Sequence, residues 1–104
     1  MEIKEYLDLN GGSPFRKWFD RLEPLAAAKV TTALYRIEQG NFSNAKGVGS
    51  GVYEFRIFYG PGYRIYFGKE GNLLVVLLAG GVKKGQAVDI AGAKALWSDY
   101  KARR

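Results

Sequence analysis

The sequence predicts a small α+β domain in which helices pack on one twisted, mainly antiparallel sheet, in the order strand, two helices, three strands, helix. Three features indicate this class: two helical stripes early in the chain, an aromatic-rich hairpin pattern in its middle, and a third helical stripe near its end. The 104 residues, 47% of them hydrophobic, suit one hydrophobic core. We therefore expect a single domain over residues 1–104.

The first third of the chain predicts a strand and two antiparallel helices. Alternating side chains over residues 2–7 predict the strand. Ser13 and Pro14 are a typical helix start, so a first helix is expected over residues 14–22, with Phe15, Trp18, Phe19 and Leu22 at helical spacing. A second helix begins at Pro24 and stops near Gly40. Its stripe is Ala26, Val30, Ala33, Leu34 and Ile37.

Residues 41–51 are predicted to form a loop that leads into the hairpin. Gly47, Gly49 and Gly51 alternate with other residues, a spacing that also occurs in phosphate-binding glycine loops. However, no helix follows and no Gly-Lys-Ser/Thr sequence is present. A flexible connection is the better interpretation.

Residues 51–67 predict two strands joined by Gly60-Pro61-Gly62, because aromatic and β-branched residues dominate on both sides of this Gly/Pro cluster. A three-residue loop would place Arg56 opposite Tyr66. Side chains alternate across a strand, so the polar residues sort to one face, which holds Glu54, Arg56, Arg64 and Tyr66. The other face is a core face with Tyr53, Phe55, Ile57, Tyr59, Tyr63, Ile65 and Phe67.

The last third predicts a buried strand and a final helix. Residues 73–79 form a nearly continuous apolar run, as in a strand buried on both faces, and Gly80-Gly81 is expected to end it. A basic loop follows over residues 82–86. The final helix is expected over residues 86–101, with a stripe of Ile90, Ala93, Trp97 and Tyr100.

Charge and composition limit the possible functions. Sixteen Lys and Arg against ten Asp and Glu give a net charge of +6, which favours an anionic partner, nucleic acid first and an acidic protein second. The absence of Cys and His excludes disulfides, Cys/His zinc sites and histidine acid–base chemistry. No signal-like or membrane-spanning apolar run is present, so a cytoplasmic protein without membrane association is predicted.

Several segments, taken in order, resemble one family of proteins. They are Ser13-Pro14-Phe15 with Trp18, Gly40-Asn41-Phe42, residues 51–57, residues 59–66, Leu77-Leu78-Ala79-Gly80-Gly81, residues 83–86 and Asp89-Ile90. This pattern covers nearly the whole chain and resembles the RelE/ParE toxin superfamily, specifically its HigB-like addiction module killer proteins.

The resemblance implies a RelE-like fold of the microbial-RNase type. It also implies the toxin of a type II toxin–antitoxin system, usually a metal-independent endoribonuclease that cuts mRNA on the ribosome and needs no cofactor. The implied partner is a cognate antitoxin, of helix-turn-helix type, and the toxin–antitoxin complex would bind its operator DNA.

The resemblance also implies site residues. Arg56 and Arg64 would bind the phosphate, because their planar guanidinium groups stay charged and bond in a bidentate manner. Lys83 would be a further catalytic cation, and Glu54 is our candidate for the general base that activates the ribose 2′-OH. Contacts to RNA are assigned to Lys84, Tyr66 and Gln86.

Each assignment has a purely structural alternative. Glu54 could form a cross-strand ion pair with Arg56 or Arg64. Tyr66 could be an aromatic residue at the core edge, and Lys83-Lys84 a solvated turn. Gln86 and Asp89 could cap the last helix. Trp18 and Trp97 are interpreted as packing residues.

Two other functions remain open at this point. ParE-like members share the fold but inhibit DNA gyrase without nuclease activity, and fold alone does not separate the two. A decayed member would only bind antitoxin and operator DNA. The clustered cations favour the nuclease, whereas the missing His and Tyr acid–base groups of several relatives keep the gyrase inhibitor open.

Overall fold

A computed structural model describes residues 1–104 and shows an α+β fold with a five-stranded mixed sheet and three α-helices. The elements are β1 (Glu2–Glu5), α1 (Pro14–Phe19), α2 (Pro24–Glu38), β2 (Ala45–Gly49), β3 (Val52–Ile57), β4 (Tyr63–Glu70), β5 (Leu74–Val82), a 3₁₀ turn (Lys83–Gly85) and α3 (Gln86–Arg103). None of the helices combines the length and the apolar character needed to cross a membrane.

The sheet has the strand order β1-β5-β4-β3-β2. β1 lies parallel to β5, and the other three neighbouring pairs are antiparallel. A parallel pair needs a long crossover connection, and the chain between β1 and β5 supplies it with two helices and three strands. The prediction of a mainly antiparallel sheet is therefore confirmed, with one strand more than expected.

The additional strand, β2, lies within the segment that we predicted to be a loop. Ala45 pairs with Phe55 and Gly47 pairs with Tyr53. The turn into β3 runs through Gly49, Ser50 and Gly51, whose φ angles are 101°, 56° and 80°, values that glycine adopts most easily. β2 forms because the edge of β3 offers unpaired amides and carbonyls, whereas its own glycine-rich sequence has low strand propensity.

The hairpin register differs from the predicted one by two residues. Arg56 lies opposite Arg64 rather than Tyr66, and Glu54 lies opposite Tyr66. The connection is longer than three residues, since β3 ends at Ile57 and β4 begins at Tyr63. Side chains repeat every two residues along a strand, so this even shift leaves both predicted faces unchanged.

Helices cover both faces of the sheet. The face with Phe55, Ile65 and Phe67 packs against α1 and α2, in a cluster that also contains Phe15, Val30, Ala33, Ile37, Val75 and Leu77. The opposite face packs against α3, in a cluster formed by Tyr6, Val52, Tyr66, Val76, Leu78, Ala93 and Trp97. The predicted polar face of the hairpin is therefore not open to solvent along its whole length, because α3 covers part of it.

Most predicted helix boundaries are confirmed within a few residues. Ser13 Oγ accepts a hydrogen bond from the Arg16 amide at 3.0 Å, which is the expected N-cap. α1 ends at Phe19 instead of residue 22, because the amides of Arg21 and Leu22 bond to carbonyls three residues earlier. The first strand ends at Glu5 rather than residue 7, and α3 extends to Arg103.

Gly80 and Gly81 do not end the last strand, as the sequence had indicated. β5 continues through both residues to Val82. A Cβ atom at Gly80 would lie 2.1 Å from Trp18 Cε3, and one at Gly68 would lie 2.4 Å from Trp97 Cε3. Glycine is thus required here because a tryptophan ring rests directly on the strand backbone, which also fits the predicted packing role of both tryptophans.

We expect Gly80→Ala to destabilise the fold by about 1–3 kcal/mol, because the added methyl group forces the Trp18 ring away from the sheet. Thermal unfolding followed by circular dichroism measures the effect. Gly47→Ala is the matched control, since it also lies in a strand and a Cβ there meets no atom within 4 Å. Equal melting temperatures for the two variants would contradict the packing role of Gly80.

Candidate active site

The polar face of β3 and β4 brings four side chains together as predicted. Arg56 and Arg64 are direct cross-strand neighbours, and Glu54 and Tyr66 form the next pair. On β5, Gly81 lies opposite Arg64 and Ala79 lies opposite Tyr66. Two neighbouring rows therefore run across β3, β4 and β5. One contains Arg56, Arg64 and Gly81, and the other contains Glu54, Tyr66 and Ala79.

Glu54 is the centre of this cluster. Its carboxylate is fully buried and accepts hydrogen bonds from Arg56 Nε at 3.0 Å and Gln86 Nε2 at 2.8 Å. Tyr66 donates its hydroxyl at 3.3 Å, and Arg64 Nε lies 3.6 Å from Glu54 Oε2. A buried charge is stable only when hydrogen bonds and opposite charges compensate for the lost water. These contacts explain why Glu54 can remain ionised in the protein interior.

The same contacts determine the protonation of Glu54. Burial by itself raises its pKa, because it disfavours the charged form. The hydrogen bonds from Arg56 and Gln86, together with the positive charge of Arg64, act in the opposite direction, and the net pKa of Glu54 is lowered. Glu54 is therefore an anion at neutral pH.

The two arginines differ in exposure. The Arg64 side chain is only 7% exposed, and its Nη1 donates to the Gly62 carbonyl at 2.6 Å. Its Nε is buried without a hydrogen-bond partner. The Arg56 side chain is 35% exposed, so its guanidinium group reaches solvent beside Glu54. The directly paired Arg56 and Arg64 thus provide an accessible cation on β3 and a buried, fixed cation on β4.

Tyr66 and Gln86, the other two predicted RNA contacts at this cluster, both donate hydrogen bonds to Glu54. The Tyr66 ring is fully buried in the α3 core cluster and presents no face to a base, which corrects its assignment as an RNA contact. Its pKa is raised, first by burial and then by the negative charge of Glu54. Gln86 is not a helix cap either, since α3 has no side-chain cap; its amide is a donor to Glu54.

Lys83 and Lys84 are exposed in the 3₁₀ turn that follows β5. The Lys83 amide bonds to the Pro61 carbonyl at 3.3 Å, which ties this turn to the β3–β4 loop. A Cβ at Gly62 would lie 2.9 Å from Arg64 Nη1 and 3.3 Å from Lys83 Cβ. The missing side chain of Gly62 therefore leaves room for Lys83 and Arg64 to lie close to each other, whereas Lys84 has no such contact.

Asp89, which the sequence analysis considered only as a possible helix cap, also lies at this cluster. It lies in the first turn of α3, and a Cβ at Gly81 would lie 2.0 Å from its Oδ2. Because Gly81 is the β5 neighbour of Arg64, this carboxyl group rests on the same row as the two arginines. Burial raises the pKa of Asp89. The signal was hidden because we interpreted Gly80-Gly81 as the end of the strand.

We expect Asp89→Asn to raise the melting temperature at pH 7. Burial favours the protonated form of Asp89 in the folded state, so its ionisation above the ordinary pKa of 3.8 destabilises the fold. This penalty is complete above the raised folded-state pKa and is lost only as the pH falls below the ordinary value of 3.8, where the two proteins should converge. Melting curves at pH 7 and pH 3 test this, with the exposed Glu2→Gln as control. A lower melting temperature at pH 7 would contradict it.

Comparison with known proteins adds two findings. Residues 17–95 match the family described as phage-derived protein Gp49-like (DUF891). An uncharacterized protein of Haemophilus influenzae is 42% identical over 83 residues, which cover 79% of this chain and 84% of that protein. The matched family segment contains the whole cluster from Glu54 to Asp89.

Proposed function

Because the chain belongs to the phage-derived Gp49-like family, we propose that it is the toxin of a type II toxin–antitoxin system and cleaves mRNA on the ribosome. Membership of this family supports a role as the toxin of a toxin–antitoxin module. The single observation that supports nuclease activity is the Arg56–Arg64 pair, fixed side by side around one buried carboxylate. Within the toxins, we place the chain with the HigB-like members of RelE-like fold.

The proposed reaction is metal-independent. The ribose 2′-oxygen forms a bond to the adjacent phosphorus and gives its proton to a base, while the bond from phosphorus to the 5′-oxygen breaks and that oxygen takes up a proton. Negative charge grows on the non-bridging phosphate oxygens, and Arg56 and Arg64 stabilise it. Lys83, next to Arg64 across Gly62, supplies a third positive charge.

The proton transfers involve the carboxyl groups of the cluster. Glu54 as general base stays a prediction. Its burial, its three hydrogen-bond donors and its lowered pKa instead support a role in which Glu54 positions the two arginines. Asp89 is the second carboxyl group in the cluster. Its pKa is raised whereas that of Glu54 is lowered, so Asp89 is the more readily protonated of the two. We therefore assign orientation to Glu54 and proton transfer to Asp89.

The proposed partners follow from the toxin role. A cognate antitoxin of helix-turn-helix type would neutralise the chain, and the complex would bind operator DNA. The net charge of +6 suits both an acidic antitoxin surface and mRNA.

Mapping of mRNA 5′ ends after brief expression tests this function. New in-frame ends within translated codons would support the ribosome-dependent nuclease. Growth arrest without new ends, but with a DNA-damage response, would overturn it and place the chain with ParE-like gyrase inhibitors. An absence of arrest, with antitoxin binding intact, would instead indicate a member that only binds antitoxin and DNA.

A further inference from the structure

A basic groove runs along the sheet edge next to the arginine pair. A cavity of about 250 Å³ lies between α2 and the end of β3, with Lys29 and Arg36 on one side and Tyr59 on the other. A second cavity of about 200 Å³, which Lys46 lines, adjoins it. The two share three wall residues, which are Asn44, Arg56 and Phe58. We call both cavities together the α2 groove.

The α2 groove carries uncompensated positive charge. Its cations are Lys29, Arg36, Lys46 and Arg56, and no Asp or Glu lines either cavity. Of these four, only Arg56 forms an ion pair, with Glu54. A concave surface of one sign concentrates ligands of the opposite sign, so the groove favours a polyanion.

An exposed aromatic ring stands among these cations. Phe58 is 80% exposed and has no aromatic partner, although it lies between the two cavities. Tyr59, in contrast, is held by Lys29 at 5.2 Å from its ring centroid and by Tyr63 at 6.3 Å. Cations around an exposed aromatic face are the arrangement with which proteins bind single-stranded nucleic acid, phosphates on the cations and a base on the ring.

We propose that the α2 groove binds the single-stranded RNA segment next to the cleaved phosphate, with one base stacked on Phe58 and flanking phosphates on Lys29, Arg36 and Lys46. This inference rests on the proposed nuclease function, because Arg56 belongs to both the groove and the arginine pair. Arg56 lines both cavities, so a phosphate bound at Arg56 lies at the wall of the groove. An acidic peptide would use the same cations but would leave Phe58 without a stacking partner.

Binding can be measured separately from cleavage. A fluorescent oligoribonucleotide with 2′-O-methyl groups keeps its phosphates and bases but lacks the nucleophile. Stacking on an aromatic side chain contributes about 1–3 kcal/mol per base, so Phe58→Ala in the full chain should weaken binding by about 5- to 150-fold. Phe58→Trp should retain affinity. Leu73→Ala, at another apolar side chain that is 79% exposed, is the matched control and should change nothing.

A second variant tests how much the positive charges of the groove contribute to RNA binding. Lys29→Gln/Arg36→Gln should weaken binding and flatten its dependence on salt concentration, whereas the exposed Lys101→Gln should not. Unchanged RNA affinity in both groove variants would overturn the inference, and loss of binding only to an acidic antitoxin would identify a peptide site instead. Weakened RNA binding without any cleavage in cells would support the groove and contradict only the nuclease function.

Discussion

Replacing Arg64 by alanine is expected to reduce mRNA cleavage by about 10²–10³-fold, the usual cost of losing one preorganised donor to a developing oxyanion. The Arg64 side chain is 7% exposed and is held by the Gly62 carbonyl, so its guanidinium group needs little reorganisation when phosphate arrives. Its Nε has no hydrogen-bond partner in the free protein. This nitrogen is enclosed and lies 3.6 Å from Glu54, so the carboxylate keeps the guanidinium group oriented for a phosphate at its terminal nitrogens.

Two controls separate chemistry from stability in this experiment. Arg64→Lys keeps the charge but loses the planar fork, so it should recover only part of the rate. Arg103→Ala removes an arginine that is paired with Asp99 at 2.7 Å on the surface of α3, and it should cleave normally. Rates are measured from new 5′ ends, and folding from melting curves and antitoxin binding. A folded Arg64→Ala variant with the rate of the unmodified protein would contradict the assignment.

The grouping of the site residues could be predicted although the register was wrong. Glu54, Arg56, Arg64 and Tyr66 have even sequence separations, and each strand alternates its faces every two residues. A two-residue error in the loop length therefore moved partners along the strand without moving any side chain to the other face. An error of one residue in the register would have placed these side chains on opposite faces of the sheet, and no cluster would have been predicted.

Other features depend on contacts between distant parts of the chain. β2 forms only because β3 offers a free edge, and nothing in the glycine-rich sequence around Gly47 indicates a strand. Gly80 and Gly81 usually signal a strand end, but here Trp18 and Asp89 occupy the space of the missing side chains. Such packing reasons for glycine are visible only when the covering element is in place.

The burial of Glu54 also could not be predicted from the local sequence pattern. An alternating strand indicates which face a residue occupies, but not whether a helix will cover that face. Gln86, at the start of α3, donates a hydrogen bond to Glu54, and Tyr66 packs beside it. Glu54 is therefore a buried anion and not the exposed base that the sequence suggested. The predicted ion pairs with Arg56 and Arg64 are both present, at 3.0 and 3.6 Å.

Replacing Glu54 by alanine should therefore destabilise the fold by about 3 kcal/mol, since removal of one partner leaves Arg64 buried without a counter-charge. In a domain of this size, this lowers the melting temperature by roughly 10–20 °C. Glu5→Ala is the matched control. Glu5 pairs with the exposed Arg16 at 2.7 Å, and its loss should cost less than about 1 kcal/mol.

The pH dependence provides a second measure of the same ion cluster. The pKa of Glu54 is lowered on folding, so its stabilising effect is present above the ordinary value of 4.5 and is lost as the pH falls through the folded-state pKa. Glu54→Gln cannot ionise and should show a smaller loss of stability over that acidic range. An identical acid-induced loss in both proteins would contradict the lowered pKa.

Cleavage by Glu54→Gln distinguishes the two roles of this carboxylate. Removing a general base should lower the rate by about 10²–10⁴-fold even when the variant is fully folded. A positioning residue behaves differently, because the glutamine carbonyl can still accept a hydrogen bond from Arg56 and keep the arginine pair in place. We expect Glu54→Gln to retain most of its cleavage rate and Asp89→Asn to lose most of it. The opposite result would make Glu54 the base and reduce Asp89 to a packing residue over Gly81.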